Sequence, residues 1–128
     1  MTTRKIQKTK TPKMTRIWFR PIEGFEGLTE VWPSKFSDNR GQFWETYNEK
    51  VFQENGITTK FVQDNLSFSK KGVLRGLHFQ KGPHAQAKLV RVVTGRVLDV
   101  VVDLRPTSAS FKKHFSLELR GDYGNMIF

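Results

Sequence analysis

Polar side chains that could bind an anion and move a proton are concentrated in the middle of the chain. Gln63, Asn65, Arg75 and His78 lie in or beside β-like sequence, and Lys88 follows ten residues after the histidine. An arginine can hold a phosphate, a neutral histidine can accept a proton, and a lysine can stabilise a developing oxyanion. The segment therefore predicts a pocket for an anionic substrate with acid–base chemistry.

Four of these residues also have a purely structural interpretation. His78 could be a core histidine that donates to a backbone carbonyl, Lys88 a solvated strand charge, and Gln63 and Asn65 loop residues that bond their own turn. The two cations near His78, Arg75 and Lys88, favour the catalytic interpretation. Neighbouring positive charge favours the neutral imidazole that a general base must have.

The net charge of +10 comes mostly from one end of the chain. Of 22 basic residues, seven lie in the first 20 positions, which hold no acidic residue, and 15 basic residues face 12 acidic ones beyond. The opening at residues 1–13 is therefore predicted to be a disordered basic tail, residues 14–128 are nearly balanced in charge, and no nucleic-acid partner is expected. We expect these to form one domain, or part of one.

Composition excludes several other classes of site. The chain has no cysteine, so disulfides and thiolate chemistry are excluded and a reducing, cytoplasmic location fits. No apolar run approaches the roughly 20 residues of a membrane span, and no apolar segment follows the N-terminal charges as in a secretory signal.

Short β-rich runs separated by turn residues predict an all-β sandwich or barrel with one short helix. The helix is expected over Glu49–Glu54, with Asn48 as its cap. Strands are predicted over residues 28–32, 42–47, 58–63, 73–80, 88–93, 96–104 and 115–119.

Two of these predictions concern pairing and burial. Thr94-Gly95 indicates a hairpin between the strands on either side of it, and the run at 97–104 is apolar enough to be buried on both faces. A last strand begins at Met126 and is expected to lack a partner. We therefore expect a C-terminal truncation, with late strands missing.

The ordered motifs resemble the dTDP-4-dehydrorhamnose 3,5-epimerase family from about residue 28 to residue 128. The most specific element is Arg75-Gly76-Leu77-His78 with the downstream Lys88. The other matching positions are Asp38, Arg40, Gly41, Phe43, Glu45, Phe61–Asn65, Ser67, Ser69, Gly72–Leu74, Phe79, Gln80, Gln86, Leu89–Arg91, Gly95, Val97, Asp99, Val100 and Val102–Arg105.

The resemblance implies a cupin-type jelly roll, partial in this chain, and a cofactor-independent isomerase of dTDP-rhamnose biosynthesis that works as a homodimer. Its reaction would invert C3 and C5 of dTDP-4-dehydro-6-deoxy-D-glucose to give dTDP-4-dehydro-L-rhamnose. His78 would remove the protons next to the C4 ketone, and Lys88 would stabilise the enolate.

The resemblance also implies how the substrate is bound. Arg75 would hold the diphosphate, and the amides of Gln63 and Asn65 would orient the nucleotide. A second group would reach the thymidine of a neighbouring subunit, with Phe43 stacking on the base beside Arg40 and Glu45. Taken without the resemblance, Arg40, Phe43 and Glu45 indicate only a turn followed by an exposed strand.

The chain departs from the family and from metal-binding cupins in ways that leave alternatives open. His78 is followed by Phe79 and Gln80 rather than by a second histidine, and no carboxylate follows His84 closely, so no metal site is expected. His84 and His114 are expected in loop and surface positions. The opposite-face tyrosine acid and the base's aspartate partner have no counterpart here. A 3-only or 5-only epimerase, or a non-catalytic sugar-nucleotide-binding fragment, therefore stays open.

Overall fold

The computed structural model describes residues 17–128, which form strands apart from one α-helix and one 3-10 turn. The expectations for residues 1–13 and for Met14 lie outside the described residues. The elements are β1 Trp18–Pro21, β2 Thr29–Trp32, β3 Ser34–Asp38, β4 Gly41–Glu45, α1 Glu49–Glu54, a 3-10 turn Gly82–His84, β5 Val90–Arg91, β6 Arg96–Val102, β7 His114–Arg120 and β8 Met126–Ile127. The predicted all-β class with one short helix is confirmed. No helix in this part of the chain is long and apolar enough to cross a membrane.

The strands form a four-stranded antiparallel sheet and two ribbons. The sheet has the order β1-β2-β8-β5, and the ribbons pair β3 with β4 and β6 with β7. The final strand, β8, lies between β2 and β5, so the prediction that it lacks a partner is wrong. Although β8 has only two residues, it is paired on both sides, with β2 on one side and with β5 on the other.

The pairs β5–β8 and β6–β7 make one long two-stranded ribbon with a bend. Arg91 lies opposite Met126 and Arg96 lies opposite Arg120, so the two ladders differ by only one residue in register. The bend lies at residues 93–95 and 121–125, where the Gly121 amide donates to the Gly95 carbonyl at 2.9 Å. We call residues 90–102 and 114–127 the long ribbon. The predicted hairpin at Thr94-Gly95 is therefore wrong, since β5 and β6 pair with β8 and β7 and not with each other.

The turn of the long ribbon is instead the loop at residues 103–113, and Asp103 organises it. Its buried carboxylate accepts from Arg105 Nε at 2.9 Å and from Ser110 Oγ at 2.6 Å, while its backbone carbonyl accepts from the Lys112 amide at 2.7 Å. The side-chain hydrogen bond from Arg105 is the main cause that holds the pKa of Asp103 far below its usual value. Arg105 also donates to the Glu26 carbonyl at 2.9 Å, which ties the loop to the segment before β2.

Two apolar clusters cover the two faces of the main sheet. One contains Val31 and Met126 and is covered by α1 through Phe52. Asn48 caps α1 by accepting from the Val51 amide at 3.3 Å, as predicted. The other cluster lies on the face that we call the inner face of the long ribbon, and its members are Ile22, Phe25, Leu28, Val90, Val92, Phe115, Leu117, Leu119 and Ile127.

A buried carboxylate links the sheet to the bend. Glu30 of β2 is 1% exposed and forms an ion pair with Arg20 across the β1–β2 ladder. Its Oε1 also accepts from the Asn125 side-chain amide at 3.2 Å. Asn125 in turn accepts from the Arg120 amide at 3.1 Å, so the position of the bend depends on this residue.

Three further strand and burial predictions are wrong. Residues 58–63 and 73–80 form no strand, because neither run has a ladder partner among the described residues. The run at 97–104 is not buried on both faces, since Leu98 on its outer face is 68% exposed. Apolar composition alone does not show which neighbours will cover a strand.

Candidate active site

Arg40 lies in the two-residue loop between β3 and β4, where Asp38 holds it. The Asp38 carboxylate accepts from the Arg40 amide at 2.8 Å, from Nε at 3.1 Å and from a terminal nitrogen at 2.7 Å. The side-chain hydrogen bond lowers the pKa of Asp38 and raises that of Arg40. The guanidinium therefore stays charged and oriented at the exposed tip of the hairpin.

Phe43 and Glu45 follow on one face of β4. Phe43 lies opposite Phe36 with ring centroids 6.1 Å apart, and its side chain is 69% exposed. Glu45 is half-buried and accepts from the Asn48 amide group at 3.0 Å. The three residues predicted to reach the thymidine thus share one hairpin, and its aromatic residue faces outward.

Trp44, on the opposite face of β4, anchors this hairpin, although no role was expected for it from the sequence. Its ring packs so closely on Gly124 and Pro33 that no side chain fits at position 124. The Lys35 ammonium lies 4.1 Å from the centroid of the same ring. The alternation of Gln42-Phe43-Trp44-Glu45 carries this signal, because successive strand residues face opposite sides.

The predicted nucleotide and diphosphate residues lie in the exposed segment that follows α1. Gln63 donates from its amide to Asn65 Oδ1 at 3.2 Å, and Arg75 Nε donates to Ser69 Oγ at 3.2 Å. All four side chains are exposed. The guanidinium terminal nitrogens of Arg75 have no protein partner among the described residues, so they are available to an anion.

His78 lies close to Gly76 in the same segment. A Cβ at Gly76 would lie 3.1 Å from His78 Nδ1, and Gly76 has φ of +107°, a conformation that side chains disfavour. Glycine at position 76 therefore allows the imidazole to fold back against its own backbone. His78 remains exposed.

Lys88 is exposed and lies just before β5. It precedes Val90 by two positions, the spacing that puts side chains on the same side of an extended chain. Val90 belongs to the inner face of the long ribbon. The spacing therefore predicts that Lys88 also faces the inner side.

The predicted site residues form two separate sets in this chain. No hydrogen bond, ion pair or ring contact within residues 17–128 joins the hairpin set, which is Arg40, Phe43 and Glu45, to residues 63–88. His84 lies in the 3-10 turn and His114 begins β7. In the described part of the chain no three histidine or carboxylate side chains cluster as a metal site would require.

An open cavity of about 510 Å³ lies against the face of β4 opposite to Phe43 and Glu45. None of the predicted site residues lines it; the lining residues are Gln42, Trp44, Thr46, Arg91, Val92, Val93, Gly121 and Gly124. The segment that carries His78 contributes nothing to this cavity. The candidate site therefore consists of the two residue sets and not of this cavity.

Comparison with known proteins decides the family. The family model for dTDP-4-dehydrorhamnose 3,5-epimerase matches residues 23–128. The chain belongs to the dTDP-4-dehydrorhamnose 3,5-epimerase family. A relative with this name from Methanothermobacter thermautotrophicus is 52% identical over 111 residues, which are 86% of this chain and 60% of the relative.

Solved structures of the epimerase family agree. A dTDP-4-dehydrorhamnose 3,5-epimerase from Bacillus anthracis, with TDP and PPi bound, has a TM-score of 0.83 and 41% identity and matches 88% of this chain and 64% of its own. A dTDP-6-deoxy-D-glucose-3,5-epimerase from Legionella pneumophila, in complex with dTDP-4-keto-L-rhamnose, has a TM-score of 0.81 and 39% identity over 88% and 59% of the two chains. The predicted cupin-type jelly roll is confirmed by this likeness. The chain spans about three-fifths of the length of these epimerases.

Proposed function

We propose that this protein takes part in epimerisation of a dTDP-4-dehydro-6-deoxy sugar at C3 and C5. The observation that carries the proposal is that all eight predicted site residues fall inside the family match at residues 23–128. The names of the relatives and the TDP and sugar-nucleotide ligands of the structural neighbours support the same substrate class. The cytoplasmic location stays a prediction.

In the proposed reaction, His78 acts as the general base. Its neutral imidazole removes the proton from C5, and later from C3, because both carbons lie next to the C4 ketone and give a stabilised enolate. The Lys88 ammonium lies near the enolate oxygen and stabilises the negative charge that develops there. Reprotonation from the opposite face completes each inversion, and we assign no described residue to that step.

Nucleotide binding is assigned to the two residue sets. The guanidinium of Arg75 binds the diphosphate through charged hydrogen bonds, and Gln63 and Asn65 orient the nucleotide. The exposed Phe43 stacks on the thymine of a neighbouring subunit beside Arg40 and Glu45. This homodimer is a proposal, supported by the outward-facing hairpin and by the absence of contacts between the two sets within residues 17–128.

Calorimetric titration with dTDP tests the binding part of the proposal on the chain itself. We expect saturable binding that is weakened by about tenfold or more in Arg75→Ala. Absence of binding would contradict the proposal, and binding without turnover would indicate a sugar-nucleotide binder. Turnover is measured in an extended protein, which joins this chain to the part of the Methanothermobacter relative that the match does not cover.

Subunit mixing tests the dimer. Phe43→Ala and Arg75→Ala subunits should each bind dTDP poorly alone, because every site lacks one group. If each site combines residues of two subunits, an equal mixture should recover about a quarter of the sites, since half the dimers are mixed and each has one intact site. No recovery after subunit exchange would place both sets in sites formed by a single chain.

A further inference from the structure

Asp99 is a carboxylate in a strand that is otherwise apolar. It lies at the centre of β6, between Leu98 and Val100, and it is less exposed than either neighbour. In the β6–β7 ladder Asp99 lies directly opposite Leu117. Directly opposed residues of an antiparallel pair project to the same side of the sheet. Asp99 therefore faces the side that Leu117 faces.

That side is the inner face of the long ribbon. Leu117 packs there against the cluster that contains Leu119, and Val90 and Val92 pack against the same cluster. The apolar surroundings remove water from the Asp99 carboxylate, and this desolvation raises the pKa of Asp99. Asp99 thus faces the apolar side of the ribbon and not its outer surface.

No described residue gives Asp99 a hydrogen bond or an ion pair. Two acids in the described part of the chain that are more buried than Asp99 are paired: Glu30 with Arg20, and Asp103 with Arg105. An unpaired carboxylate in apolar surroundings is unfavourable for folding, because it loses hydration without a compensating donor. Such a carboxylate is typical of a binding site in which the bound ligand supplies the missing hydrogen-bond donor.

The ligand class follows from the proposed function, on which this inference rests. Lys88 is predicted to face the same inner side, and we therefore place the C4 oxygen of the sugar at Lys88 and the sugar ring toward Asp99. A 4-dehydro-6-deoxy sugar keeps hydroxyl donors only at C2 and C3. The C3 hydroxyl changes position when C3 is inverted, whereas the C2 hydroxyl does not. A fixed acceptor therefore suits the C2 hydroxyl.

We propose that Asp99 is a substrate-binding residue that accepts a hydrogen bond from the C2 hydroxyl of the sugar ring. The donor replaces the water that the carboxylate loses in this apolar space. The contact also restricts rotation of the ring, so that C3 and C5 stay in reach of one base. Substrates without a C2 hydroxyl are then selected against, because the half-buried carboxylate would stay unpaired.

The test compares dTDP-glucose with dTDP-2-deoxyglucose, which are unreactive because they lack the C4 ketone. Calorimetry on the chain itself should show that loss of the C2 hydroxyl weakens binding to the wild type roughly 10- to 100-fold, the range for a hydrogen bond to a charged group. In Asp99→Asn the difference between the two ligands should fall below about threefold, and in Asp99→Leu it should vanish. The control is Glu118→Gln, a carboxylate on the neighbouring strand opposite Leu98 and so on the outer face, which should keep the wild-type difference.

The outcomes separate this inference from the proposed function. If dTDP binds but both Asp99 variants keep the wild-type preference for the C2 hydroxyl, the role of Asp99 is wrong and the proposed function stands. If the wild type shows no preference, the inference is equally wrong. If dTDP does not bind, the proposed function and the role of Asp99 are both wrong. Melting curves establish that the variants are folded, which we expect because Asn removes a desolvated charge without changing shape.

Discussion

Gly124 lies against the ring of Trp44, and the contact joins the β3–β4 hairpin to the bend of the long ribbon. The hairpin carries Arg40, Phe43 and Glu45, so the contact also fixes where these residues are presented. Because Gly124 has φ of +67° and no room for a Cβ, both the backbone and the packing require glycine.

We predict that Gly124→Ala lowers the free energy of unfolding by about 2–4 kcal/mol, from overpacking and from the left-handed backbone. Urea unfolding measures this. The matched control is Gly24→Ala, where φ is +77° but no atom lies within 4 Å, so only the backbone contribution remains. Equal losses in the two variants would show that Trp44 does not constrain position 124.

Arg75→Ala should weaken dTDP binding by about 10-fold or more, since a hydrogen bond to a charged group contributes on the order of 1.5–3 kcal/mol. Calorimetry checks this, with Arg96→Ala as the control because Arg96 lies on β6 and outside both residue sets. Unchanged dTDP affinity in Arg75→Ala would show that Arg75 bonds Ser69 but does not bind the nucleotide.

Asp103 should make stability depend on pH. Its folded-state pKa is depressed, mainly by the Arg105 side chain, so its contribution is present above the unfolded value of about 4 and is lost as pH falls below it. Asp103→Asn should therefore lower the melting temperature at pH 7 and flatten its decline between neutral and strongly acidic pH. A smaller slope should persist, because Asp38 and Asp122 also have lowered pKa values. Parallel curves for variant and wild type would contradict the role of Asp103; Asp64→Asn, an exposed acid, is the control.

Local signals predicted those parts of the fold that depend on local contacts. The cap at Asn48 predicted the helix. The alternation of side chains along the strands predicted β2, β4 and β7, with bounds correct to within one or two residues. The same logic failed at residues 58–63 and 73–80, where a strand needs a distant partner. It also failed at Thr94-Gly95, because a turn sequence cannot distinguish a hairpin from a bend in one strand.

The candidate site, like the fold, could be predicted only in part from the sequence. The identities of His78 and Lys88 came from the motif, because spacing alone allowed a structural histidine and a solvated lysine. The outward position of Phe43 followed from alternation once β3 was paired with β4. The inward position of Asp99 could not be predicted, since it depends on the register with β7 and on the cluster around Leu117.

Proton exchange at C5 tests the central claim most directly. The extended protein is incubated with dTDP-4-dehydro-6-deoxyglucose in deuterium oxide, and the C5 proton signal is followed by NMR. We predict that His78→Ala lowers the rate of deuterium incorporation by about 10²- to 10⁴-fold, as expected for loss of a general base, while dTDP affinity stays within about tenfold. His84→Ala, in the 3-10 turn, should exchange at the wild-type rate. Wild-type exchange in His78→Ala would contradict the account, because another residue would then have to remove the proton.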